Sequence, residues 1–176
     1  SLFLSSSFIK PQYAYSIPFV SILIGCINIH LCSTYRRNLF YGMLSYTDLD
    51  ICAVTETWFK VGIDYMSKSI DNDKYVWISR ERQNQKARNG EGGVGIIIKR
   101  SLGKISLVRV SKRYDMIWVE IDRNGMCLYI AAVYISPSRA PRGYYSTEML
   151  AELEVDILHF KSKGQVMVMG DFNARI

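Results

Sequence analysis

The stretch VMVMGDFNAR, residues 166–175, decides how this chain is read. Four apolar residues between Gln165 and Gly170 have the length and composition of a buried strand. The strand runs directly into Asp171 and Asn173, which are two apart and so project to the same side of an extended backbone. Ligands of layered α/β proteins commonly sit beyond strand ends. A carboxylate beside a carboxamide at such a place can orient a water and donate to a phosphate oxygen. Asp and Asn are also the residues that favour Asx turns, and on pattern alone a turn closing the strand is the simpler reading.

Working outward, Pro137, Pro141 and Gly143 mark a loop, and a helix is expected over residues 146–163. Leu150, Leu153, Ile157 and Phe160 would form its apolar stripe, with Glu148 near the start, Lys161 and Lys163 near the end, and Gly164 as a left-handed cap. Further upstream, strands are expected over 75–78, 94–99, 105–110, 116–121 and 126–135, the last two joined through Asn124-Gly125, a hairpin signal. The chain opens strand–helix–strand: an apolar run over 19–29, a helix after Ser33-Thr34 with Leu39, Phe40, Met43 and Leu44 at helical spacing, and a second buried strand over 48–55. Residues 60–74 and 79–93 are polar and loop-like, and residues 1–18, rich in Ser and Tyr, read as a poorly ordered lead-in. Helices flanking a run of antiparallel-looking strands make an α+β layered domain over 19–176, not a doubly wound one.

The 176 residues carry a net charge of +6, and 49% are hydrophobic. That composition excludes a disordered or fibrous chain, and the basic balance favours a polyanionic partner. Four cysteines, none in a C-x-x-C pair, and two histidines argue against zinc. Cys26, Cys52 and Cys127 sit in apolar stretches, the pattern of reduced thiols in an intracellular compartment. The apolar run 19–29 is too short to span a bilayer. The first residue is Ser and the last apolar run ends abruptly at Ile176, so both ends read as cut.

Three more positions have chemistry of interest. Glu56 follows an apolar strand in AVTETW; it is either a solvated acid or a hard oxygen ligand for Mg²⁺, which uses one or two carboxylates. Asn28 lies inside an apolar strand and needs a hydrogen-bond partner, either a core group or a metal-bound carboxylate or water. Tyr134, in VYISPS, is commonplace in a strand. The loop with Arg80, Arg82, Lys86 and Arg88 is either solvated or a phosphate-binding patch. For Trp58, Trp77, Trp118, Tyr144 and Tyr145, core packing is the default over base stacking.

Taken in order, INIHLCS (27–33), DLDICAVTETWF (48–59), GGVGIIIK (92–99), AAVYISPS (131–138) and VMGDFNAR (168–175) resemble the endonuclease/exonuclease/phosphatase superfamily. Within it they resemble the endonuclease domain of LINE-type (non-LTR) retrotransposons. ETW and GDFNA are the specific elements. The resemblance implies a four-layer αββα sandwich of the DNase I type, present here as its N-terminal two-thirds. It also implies roles. Asn28 and Glu56 match the metal-site residues, and Tyr134 the Tyr that contacts the scissile phosphate. Asp171 matches the Asp that orients or deprotonates the attacking water, and Asn173 the Asn that meets the phosphoryl oxygens. The implied cofactor is Mg²⁺, with Mn²⁺ as its substitute.

Two departures qualify the match. Apurinic endonucleases carry an acid two places after the first-strand Asn, where this chain has His30. The superfamily's later Asp and its late Asp-His pair have no counterpart here, and neither His30 nor His159 is placed to replace them. The resemblance therefore implies that this segment by itself is inactive, with strand faces such as those of Ile96, Ile98, Val166 and Val168 short of cover. The expected function of the parent protein is a Mg²⁺-dependent phosphodiesterase that nicks DNA for a downstream reverse transcriptase, working in the nucleus and away from membranes. The alternatives are a phosphatase or lipid phosphodiesterase of the same fold, and a non-catalytic transposon remnant.

Overall fold

The computed structural model describes residues 16–17, 20–29, 34–59, 71–80, 92–135 and 145–173. In chain order the elements are β1 (Ser16–Ile17), β2 (Val20–Ser21), β3 (Ile24–Asn28), α1 (Thr34–Thr47), β4 (Ile51–Thr55), β5 (Tyr75–Arg80), β6 (Val94–Lys99), β7 (Lys104–Val110), β8 (Met116–Arg123), β9 (Met126–Tyr134), α2 (Tyr145–Lys161) and β10 (Gln165–Asp171). Besides the short β1–β2 pair there are two four-stranded sheets, ordered β3-β4-β6-β5 and β10-β9-β8-β7.

Alternation within the strands builds the layers. Ile51, Ala53, Ile96 and Ile98 point from the first sheet onto Ile117, Val119, Ile130 and Ala132 of the second, forming the central core. The opposite faces, Cys52, Val54, Trp77 and Ile97, pack under Phe40 and Leu44 of α1. On the second sheet, Trp118, Tyr129, Ala131 and Val133 pack under Met149, Leu153 and Phe160 of α2. The order is helix, sheet, sheet, helix, the four-layer αββα sandwich. Strands buried on both faces explain the continuous apolar runs in β4 and β6. Among the described residues no helix is long and apolar enough to cross a membrane.

Several expectations are corrected. The strands are not all antiparallel: β3 pairs with β4, and β10 with β9, in parallel. Each parallel pair is joined through a helix, as a parallel connection requires. The apolar run 19–29 is broken at Ile22-Leu23, where the Asp50 carboxylate accepts the Leu23 N–H at 2.8 Å. β5 continues to Arg80. Leu150 is exposed, and Met149 takes its place in the α2 stripe. Gly164 does not adopt a left-handed φ; it closes the helix by donating to the Phe160 carbonyl, and a Cβ there would lie 2.4 Å from the Cys127 carbonyl oxygen. Ile96 and Ile98 are fully buried, while Val166 and Val168 are half-covered against the α2 side. The hairpin is as expected: Asn124 and Gly125 take φ of 55° and 82°, and Asp122 caps the turn through the Gly125 N–H.

α2 is fixed to its sheet by one buried acid. Asp156 accepts from the Trp118 indole N–H at 3.0 Å and from Arg109 Nε at 2.6 Å, while Arg109 also reaches Glu152. Replacing Asp156 by Ala leaves the buried indole donor unpaired, which costs about 1–3 kcal/mol. Asp156→Ala should therefore lower the denaturant midpoint by a corresponding amount with little change in m-value; an unchanged midpoint would mean that the network contributes nothing.

Candidate active site

The site lies where four strand ends meet. β3 and β4 run parallel and end together, with Asn28 opposite Thr55, so the carboxamide of one strand comes up beside the residue that follows the other, Glu56. β9 and β10 also end together, with Tyr134 opposite Asp171. The two sheets touch through β3 and β10, and there the Asn28 side chain joins them. Asn28 Nδ2 donates to Glu56 Oε1 at 2.9 Å and to Asp171 Oδ2 at 3.0 Å. Both hydrogens of one amide nitrogen are thereby used on two carboxylates from different sheets.

Asp171 is held at its other oxygen as well: Oδ1 accepts the backbone N–H of Asn173 at 3.0 Å. This is the Asx turn allowed for from the sequence, and it leaves Asp171 in contact with Asn28. Asn173 takes φ of 46°, and its Nδ2 donates to the Ile135 carbonyl at 2.7 Å. Ile135 in turn donates its N–H to the Asp171 carbonyl. The preceding Gly170 has φ of 145°, and a Cβ there would lie 1.8 Å from the Val133 carbonyl oxygen, so glycine is needed directly before the acid.

The turn that presents Glu56 is equally constrained. Glu56 and Trp58 adopt φ of 53° and 52°, an uncommon conformation for residues with side chains. The Gly92-Gly93 segment holds this turn: the Trp58 N–H donates to the Gly92 carbonyl at 2.9 Å and the Thr57 N–H to that of Gly93 at 3.4 Å. A Cβ on Gly93 would meet the Thr57 hydroxyl at 2.5 Å. The modest GGVG motif is thus the buttress of the ETW turn.

Glu56 and Tyr134 are buried, Asp171 and Asn173 half-buried, and Asn28 is exposed, so the five residues line an open rim rather than a closed cavity. Cys26 lies two residues before Asn28. Desolvation by surrounding protein, and then the Asp171 charge, push its thiol up to about 11, although part of the side chain reaches solvent. It remains a neutral thiol near pH 7 and is no nucleophile.

Mg²⁺ is the metal whose requirements this donor set can be compared with directly. Among the described residues no three His, Cys, Asp or Glu side chains come together. Mg²⁺ does not need them: it takes oxygen ligands and is usually bound through one or two carboxylates, with water and substrate phosphate completing its shell. Two carboxylates bridged by one carboxamide fit that chemistry.

Not every expected site residue is part of this cluster. Arg80 does not belong to the charged loop. It ends β5 and is 7% exposed, with Nη1 lying 3.7 Å from Asp115 Oδ1. A buried, paired guanidinium is no surface contact for DNA. Arg82, Lys86 and Arg88 lie outside the described residues, as does His30. His159 is on α2 against Phe160 and Lys163. Trp77 and Trp118 are core residues. Asp115, Thr57 and the role of Gly92-Gly93 are not among the features expected from the sequence. For Asp115 the one local sign is a charge directly before an apolar strand.

The αββα fold recurs in solved structures. The chain has a TM-score of 0.63 to the 3′ phosphatase NExo from Neisseria bound to product DNA hairpin, at 15% identity, covering 85% of this chain and 57% of that one. For the AP endonuclease from Archaeoglobus fulgidus the TM-score is 0.59, at 16% identity, with 86% and 57% covered. For the endonuclease domain of TRAS1, a telomere-specific non-LTR retrotransposon, it is 0.56, at 13% identity, with 86% and 60% covered. The chain thus spans less than two thirds of the length of each of these structures. No curated protein sequence matches it. The model of the endonuclease/exonuclease/phosphatase family matches residues 27–176, which take in all five residues of the cluster, and the chain belongs to that family.

Proposed function

We propose that the protein carrying this chain is a Mg²⁺-dependent phosphodiesterase that nicks DNA, in the manner of a non-LTR retrotransposon endonuclease serving a reverse transcriptase on the same polypeptide, and that it acts in the nucleus. One observation carries the reading: the Asn28 amide bridges Glu56 and Asp171 at strand ends, in register with Tyr134 and beside Asn173. The family membership and the basic net charge of +6 support it.

The residues divide the chemistry as follows. Glu56 and the Asn28 amide form the metal-binding side, where Mg²⁺, when bound, supplies positive charge to the developing phosphate oxyanion. Asp171, clamped at both oxygens, keeps one orientation and accepts a proton from the attacking water. Asn173 has one amide hydrogen fixed on the Ile135 carbonyl, which orients the other toward a phosphoryl oxygen. Tyr134, opposite Asp171, positions the phosphate. With His30 in place of the acid that apurinic endonucleases carry, undamaged DNA is the substrate we expect.

The test is nicking of supercoiled plasmid by the full-length protein with Mg²⁺. Glu56→Ala should abolish metal-dependent cleavage, and Asp171→Asn should lower kcat by about a hundredfold or more, the usual loss when a group acting in the transition state is removed. Asp171→Asn should leave duplex affinity within about threefold, because the residue acts on the water rather than on DNA. Equal activity of either variant and the unmodified protein would refute the assignment. Cleavage confined to 3′-phosphates or to lipid phosphodiesters would move the protein to the other activities of its fold.

Duplex binding should also weaken with salt, log affinity falling linearly with log salt concentration as phosphate contacts release counterions. A flat salt series would rule out a backbone-bound nucleic acid.

A further inference from the structure

We infer that the buried Arg80–Asp115 ion pair is a positioning device that sets Tyr134 at the correct depth relative to Glu56; this rests on the phosphodiesterase reading above. The pair crosses from one sheet to the other. Arg80 ends β5 of the first sheet, and Asp115 directly precedes β8 of the second; they are 7% and 9% exposed. Burying two charges carries a desolvation cost that their attraction only roughly offsets, so stability alone gives little reason for such a pair. Its location gives a better one.

On the second sheet, Asp115 is the middle residue of a tight turn in which the Met116 N–H donates to the Tyr114 carbonyl at 2.8 Å. The Asp115 carbonyl accepts the Tyr134 N–H at 2.9 Å. The carboxylate paired with Arg80 thus belongs to the same residue whose carbonyl anchors the tyrosine backbone. On the first sheet, Arg80 is the register partner of Val94, the residue after Gly93. Gly92 and Gly93 hold the turn that presents Glu56. One guanidinium–carboxylate contact thus ties the scaffold of the Glu56 turn to that of Tyr134. A reacting group displaced by about 1 Å can lose about a hundredfold in rate, so a fixed spacing between the sheets matters at this end of the sandwich.

The decisive variants of the full-length protein are Arg80→Met, Asp115→Leu and the two combined. Either single change removes one charge of the buried pair and should lower Tm. The combined change removes both charges and should restore Tm toward the unmodified value. The combined variant should nevertheless keep kcat about a hundredfold below normal. Its KM should stay within about twofold, and its Tyr134 amide should exchange hydrogen faster. If the combined variant does not fold, Arg80→Lys takes its place. It keeps the charge but re-aims the donor across a contact already 3.7 Å long, and should show the same kcat loss and faster Tyr134 exchange at nearly normal Tm. Recovery of kcat together with Tm, or normal Tyr134 exchange, would overturn the inference and leave a merely structural ion pair. If the unmodified protein cleaves no phosphodiester, the functional reading fails, and the Tyr134 exchange still decides the positioning role.

Discussion

One carboxamide governs the geometry of this protein's working end. Asn28 sits on an edge strand of the first sheet, and its nitrogen holds a carboxylate of each sheet. Two sheets packed through apolar side chains can slide by small amounts, because the hydrophobic effect has no direction. Hydrogen bonds to two fixed acceptors do have direction, and they set the lateral alignment that core packing leaves loose. The parallel pairing of β3 with β4 and of β9 with β10 makes this possible by ending both members of each pair at the same level.

The local backbone around this contact is held in unfavourable conformations. Of the five non-glycine residues with positive φ among the described residues, three, Glu56, Trp58 and Asn173, lie at or beside the site. Each such residue costs on the order of 1–3 kcal/mol and persists only where its surroundings enforce it. Here the enforcers are identifiable: the Gly92 and Gly93 carbonyls for the ETW turn, and the Asp171 and Ile135 acceptors for Asn173. Stability is diverted to hold these side chains in place, so this rim should be among the least optimised parts of the fold in stability terms.

Much of this was legible in the sequence because it is local. The apolar runs of β4, β6 and β10, the Asn124-Gly125 turn and the strand–helix–strand opening are carried by consecutive residues. Glu56, Asp171 and Asn173 stand out as polar groups that follow apolar strands and Asn28 as one inside such a strand, while Tyr134 is singled out only by the order of motifs that resembles one superfamily. What the sequence hid was set by distant contacts. Arg80 looked like a member of a charged loop because nothing near it in sequence shows that Asp115 awaits it on the other sheet. Leu150 looked like a core residue because periodicity gives the stripe but not which edge of it the sheet covers. Strand direction was misjudged because apolar runs look alike in parallel and antiparallel pairs buried on both faces.

The Asn28–Asp171 bond joins residues 143 positions apart. Closing so long a loop is entropically costly, and chains dominated by such non-local contacts fold slowly. Synthesis proceeds from the N-terminus, so β3 must wait for β10 before the two carboxylates can meet. A chain caught partway through synthesis or folding can carry its Glu56 side fully formed and still lack the opposing half of the site. The two-carboxylate cluster thus arises only once β10 has joined the fold, and an unfinished molecule lacks it by topology alone.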